Sequence, residues 1–80
     1  MLTSAQLRAA RSLLRLDQSR LAESAGVSVE TIKRLEKMEG ELLAATGTTL
    51  AKLQSALERA GVIFIDANGN GPGVRLKDRQ

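Results

Sequence analysis

The sequence predicts a mainly α-helical fold: four helices closed by a short C-terminal β-hairpin or strand pair. Three observations predict it. Apolar residues recur at helical spacing in four stretches before residue 61. Two of these stretches, Gln18 to Ala25 and Val29 to Met38, are separated only by Gly26, Val27 and Ser28, the length of a tight helix–helix corner. After Gly61 the chain turns to β-branched residues flanking a Gly- and Asn-rich run.

The first helix is expected from Thr3 to Leu16. Thr3 with Gln6 three positions on makes a capping box. Leu7, Ala10, Leu13 and Leu14 form its apolar stripe, and Leu16 is expected buried at the next corner. Arg8 and Arg15 share a solvated face. Arg11 lies between Leu7 and Leu14 at the apolar edge, where a charge must be paired or reach water along its stem. Asp17 caps the second helix, and Gly26 suits a helix end that needs positive φ. Ser28 caps the third helix. Leu21, Ala22, Val27, Ile32 and Leu35 are spaced to face inward across the corner, forming a helix-turn-helix unit. Glu30, Lys33, Arg34 and Lys37 then lie on or beside the outer surface. Glu30 with Lys33 or Arg34 can pair along the helix, which would account for these charges as a solvated face alone.

Residues 39 to 48 read as a connection, with a short apolar piece from Leu42 to Ala45. Thr48 or Thr49 is the expected cap of the fourth helix, which runs to about Ala60. Its stripe is Leu50, Leu53, Ala56, Leu57 and Ala60, and Gly61 ends it. VIFID and VRLK then offer two strands around ANGNGPG, with the end from Lys77 onward frayed. A lone hairpin is marginal in water, so VIFI must pack on the helices, pair with a second subunit, or both. The expected organisation is a helical unit over 1–61 and a β extension over 62–80.

Composition narrows the function. Twelve Lys and Arg against nine Asp and Glu give a net charge of +3, compatible with a polyanionic partner if the charges segregate. With no His and no Cys, the usual triads, thiol nucleophiles, disulfides and imidazole or thiolate metal sites are excluded. No enzyme activity, metal or cofactor is expected. The Gly-rich run lacks the Lys-Ser/Thr and following helix of a phosphate loop. Phe64 is the one aromatic residue, so there is no platform for stacking single-stranded bases. No apolar run approaches a membrane span and no signal-peptide core opens the chain, so the expectation is a cytoplasmic protein without a membrane partner.

Arg11, Gln18, Leu21, Ala22, Gly26, Val27, Ser28, Ile32 and Glu36 stand in an order and spacing that resemble the Cro/lambda-repressor-type helix-turn-helix family of prokaryotic and phage DNA-binding regulators. The resemblance covers about Gln6 to Gly61. It implies a lambda-repressor-like domain whose third helix enters the major groove. It also implies that Arg11 and Glu36 form a structural ion pair between the first and third helices. Gln18, Ser28, Val29, Glu30 and Arg34 match base-facing positions, Gln18 and Ser28 with phosphate as the alternative contact. Arg34 suits guanine, Glu30 the amino group of cytosine, and Val29 a thymine methyl. Arg20, Lys33 and Lys37 are better placed for phosphates. A second assignment gives Lys33 to a base and Arg34 to a phosphate. The chain departs from the family after Glu36, where Lys37, Met38 and Glu39 precede Gly40 and imply a longer helix or an enlarged loop; Glu39 and Glu41 would repel a duplex they faced.

The expected function is therefore a sequence-specific double-stranded DNA-binding transcriptional regulator, a repressor acting as a homodimer on an inverted repeat. Val62, Ile63, Phe64 and Ile65 are the dimerisation candidates. The alternatives are an antitoxin that represses its own operon and holds a toxin, or a protein–protein adaptor or antiactivator on the same scaffold with a regulatory protein partner.

Overall fold

The computed structural model describes residues 2–38 and 47–78. The chain is mainly helical: α1 (Ser4–Leu14), α2 (Gln18–Ala25), α3 (Val29–Lys37) and α4 (Gly47–Arg59), followed by β1 (Val62–Ile65) and β2 (Gly73–Leu76). The two strands form one antiparallel sheet. Among the described residues, no helix is long and apolar enough to cross a membrane.

The core is aliphatic. Leu7, Leu21, Ile32, Leu35, Leu53 and Leu57 are fully buried, one or two from each helix, so all four helices converge on one centre. Ala10, Ala22, Ala25 and Ala56 fill the close approaches between them. Leu2, ahead of α1, joins this core. Leu13 and Leu16 are half-buried, and Leu14 packs at the core edge. Ala60, past the end of α4, is exposed rather than continuing its stripe.

α1 ends two residues earlier than periodicity implies, because Arg15 adopts a left-handed conformation with φ 56°. Its N–H and that of Leu16 then bond the carbonyls of Ser12 and Arg11, closing the helix end. A side chain in this region is strained by about 1 kcal/mol or more, which glycine largely avoids. Arg15→Gly is therefore expected to raise the thermal midpoint by a few degrees, measured by circular dichroism.

Gly26 and Gly61 both have positive φ, 72° and 110°, as their positions after α2 and α4 require. Thr48 and Thr49 fall inside the first turn of α4, which begins at Gly47, so neither is its cap. The enlarged loop and the apolar piece expected after Glu36 fall on residues 39–46, outside the described residues. α3 itself stops at Lys37, and Met38 packs on the core edge.

The hairpin packs on the helices. Its register pairs Val62 with Leu76, Ile63 with Arg75, Phe64 with Val74 and Ile65 with Gly73. Alternation puts Val62, Phe64, Val74 and Leu76 on the face that meets the core. Ile63, Ile65 and Arg75 share the other face. The backbone N–H of Lys77 donates to the Gly61 carbonyl at 2.7 Å, so the ladder reaches one residue beyond β2 instead of fraying there. Gln6, only 4% exposed, fastens the opposite end. Its Oε1 accepts from the Thr3 N–H, completing the capping box, while its Nε2 donates to the carbonyls of Ile65 and Gly73 at 3.2 and 3.0 Å. One side chain thus starts α1 and holds the hairpin against it. The change from helix to strand at residue 61 is not a packing boundary, since Val62 belongs to the helical core.

Candidate functional site

The site is built on α3. α2 positions it: Asp17 accepts the Arg20 N–H at 2.7 Å and starts α2, Gly26 turns the chain, and the Ser28 hydroxyl accepts the Thr31 N–H at 3.1 Å to start α3. Ser28 also shares a 2.8 Å hydrogen bond with the Thr31 hydroxyl. Ile32 and Leu35 are fully buried, which fixes the rotation of α3 about its axis. The opposite side then carries Glu30, Lys33, Arg34 and Lys37 in solvent. Glu30 in the first turn and Arg34 and Lys37 in the last complement the helix dipole.

Glu36 locks α3 to α1. Its carboxylate accepts from Arg11 Nε at 2.8 Å and Arg11 Nη2 at 3.0 Å, a two-pronged pair. The remaining Arg11 nitrogen, Nη1, donates to the Leu16 carbonyl at 3.0 Å. Gln18 Nε2 adds a third donor to Glu36, at 3.0 Å. The Glu36 side chain is 7% exposed and that of Arg11 25%. The hydrogen bond to Glu36 holds the Arg11 guanidinium above its ordinary pKa, with burial opposing. The contribution of a cation raised in this way is lost as pH rises from its unfolded value through its folded one, beyond any working range. The pair expected from the family resemblance is present. Its periphery was not foreseen: Gln18 turns its amide onto Glu36, and Arg8, expected to be only solvated, donates to the Glu36 carbonyl at the end of α3.

The other candidate residues divide by position. Val29 is half-buried against the core, so little of it is presented outward. Ser28 is exposed, with its hydroxyl engaged in the cap. Arg20 is exposed on α2, beside a surface hollow it lines with Leu16, Glu23 and Ser24. Among the described residues, the pairing of Glu30 with Lys33 or Arg34 is not present, and the side chains of Arg20, Lys33, Arg34 and Lys37 have no hydrogen-bond or ion-pair partner. The charges on the outer side of α3 are therefore not consumed within the helix. Of the hairpin candidates, Val62 is buried and Phe64 packs inward, leaving Ile63 half-buried and Ile65 exposed on the outer face.

A second pair of cations lies elsewhere. Lys52 and Arg59 line a hollow of about 450 Å³ with Ala25, Thr48, Ala51 and Ser55, between the end of α2 and α4. Their spacing of seven residues could have pointed to a shared face. No protein-family model matches the chain, and no curated protein matches it.

Proposed function

We propose that this chain is a sequence-specific double-stranded DNA-binding regulator of transcription, a repressor acting as a homodimer on an inverted repeat. In this reading α2 and α3 form a helix-turn-helix and α3 lies in the major groove. One observation carries it. α3 is held by Ile32, Leu35 and the Glu36 pair on one side, and presents Lys33, Arg34 and Lys37, unpaired among the described residues, on the other. A rigid helix with free donors outward is what base readout needs, since the contacts must be placed before the duplex arrives.

The roles follow from the side-chain chemistry. Arg34 offers a fork of donors to the O6 and N7 of guanine, and Glu30 accepts from the amino group of cytosine. Arg20, Lys33 and Lys37 engage phosphates and set the register. Gln18 and Ser28 act mainly as positioning residues, through Glu36 and the α3 cap respectively. Val29, packed at the core edge, contributes at most a methyl to the groove wall.

Affinity selection from a randomised duplex library at about 0.15 M salt, where non-specific attraction is screened, tests the reading. The expected product is an inverted repeat with half-sites about one helical turn apart. A selected pool no different from the input library overturns it, and capture of an acidic protein partner would then favour the adaptor.

A further inference from the structure

We propose that the partner in the homodimer is met at the free edge of β1, through antiparallel pairing of β1 with β1 of a second copy about Phe64. The inference deepens the homodimer part of the reading above.

The ladder phase exposes that edge. Antiparallel pairs alternate between those that exchange both backbone hydrogen bonds and those that exchange none. The bond from Lys77 N–H to the Gly61 carbonyl marks residues 61 and 77 as a bonded pair. Ile63 with Arg75 and Ile65 with Gly73 are then bonded too, in the observed register. It follows that the N–H and C=O of Phe64 point away from β2. Neither has a hydrogen-bond partner among the described residues.

The two edges of the sheet differ in chemistry. β2 carries Arg75, is followed by Lys77 and is preceded by Pro72. Charge and proline at an edge oppose strand addition. Pairing β2 with its own copy about Arg75 would also set two guanidinium groups directly opposite each other. β1 carries no charge from Val62 to Ile65. Its outer face holds Ile63 and Ile65, the latter 43% exposed and the large hydrophobic residue left most open among those described.

Symmetry selects the register. A two-fold axis normal to the sheet keeps each face on its own side, so opposed residues must share a face. Centred on Phe64, the pairing sets Phe64 against its own copy and exchanges the free hydrogen bonds of both. Ile63 then lies opposite Ile65 of the second copy, twice. Centring on Ile63 would instead leave Ile65 opposite Gly61, which has no side chain to cover it. The Phe64 register therefore buries the exposed isoleucine and joins two hairpins into one four-stranded sheet.

Sedimentation of the full chain without DNA tests this, so failure of the dimer is read apart from failure of DNA recognition. The wild type is expected to dimerise reversibly. I63K/I65K sets like charges opposite each other twice and is expected to weaken the dimer at least about tenfold. I63K/I65E sets Lys against Glu twice in this register and is expected to keep it. Circular dichroism establishes that both variants are folded. If either is not, hydrogen exchange of the wild-type Phe64 amide gives an independent reading: it is expected to be protected only at concentrations where the dimer forms. A wild type that stays monomeric at about 0.5 mM, two variants of equal affinity, or a Phe64 amide unprotected in the dimer overturns the proposal.

Discussion

Replacing Glu36 with alanine is expected to lower the thermal midpoint by roughly 10–20 °C. The residue is on the third helix, yet the loss is one of fold. Glu36 accepts two hydrogen bonds from Arg11 and one from Gln18 in a nearly closed site. Removing it strands a guanidinium and an amide together. Breaking a buried pair from one side costs about 3–5 kcal/mol. Arg11 keeps a quarter of its side chain in water, which brings the cost to about 2–3 kcal/mol. For a domain of this size, each kcal/mol moves the midpoint by about 4–8 °C. Arg11→Ala should cost more than Arg11→Leu, because only the first leaves a void beside the stranded carboxylate. On the DNA-binding reading, Glu36→Ala should also leave the relative preference among DNA sequences intact in whatever fraction remains folded, since the carboxylate is turned onto Arg11 of α1. An unchanged melt would remove the pair as a stabilising element. A normal melt with altered sequence preference would reassign Glu36 to the interface.

The helical part of this architecture was legible because its signals are local. Leu21, Ile32, Leu35, Leu53 and Leu57 sit at positions where helical periodicity has one solution, and all are fully buried. Gly26 and Gly61 mark turns that disfavour a β-carbon. The outward position of Glu30, Lys33, Arg34 and Lys37 follows from the inward position of Ile32 and Leu35. What escaped depends on distant partners. Nothing in Arg-Leu-Asp announces that Arg15 takes a left-handed conformation and ends α1 early. Gln6 reads as a cap residue, and its bonds to Ile65 and Gly73 span 59 and 67 positions of sequence. Gln18 reads, through the family resemblance, as a base or phosphate contact at the start of α2, although its amide is drawn to Glu36, 18 residues away. VIFI hides its two faces because all four residues are apolar. Alternation separates Val62 and Phe64 from Ile63 and Ile65 only once the core lies on one side of the sheet.

On the DNA-binding reading, Arg34→Ala is expected to weaken binding to the selected site by roughly 5- to 150-fold per half-site, and to abolish the preference for guanine at one position. That range corresponds to about 1–3 kcal/mol for a bidentate contact. The same substitution should leave the thermal midpoint within a few degrees of wild type, because Arg34 is exposed and makes no hydrogen bond or ion pair among the described residues. Lys37→Ala is the contrasting variant. As a phosphate contact it should weaken all duplexes nearly equally and reduce the dependence of log affinity on log salt by about one per half-site. Lys33 decides between the two assignments of α3. If Lys33→Ala behaves like Lys37→Ala, Arg34 is the base reader. If instead Lys33→Ala loses a base preference and Arg34→Ala only flattens the salt dependence, the two residues exchange roles. The distinction matters because a guanidinium specifies through the fixed geometry of its fork, whereas an ammonium acts more nearly as a point charge. Unchanged affinity and sequence preference in both variants would mean that the free charges of α3 do not meet DNA at all, and the major-groove assignment of this helix would fall with them.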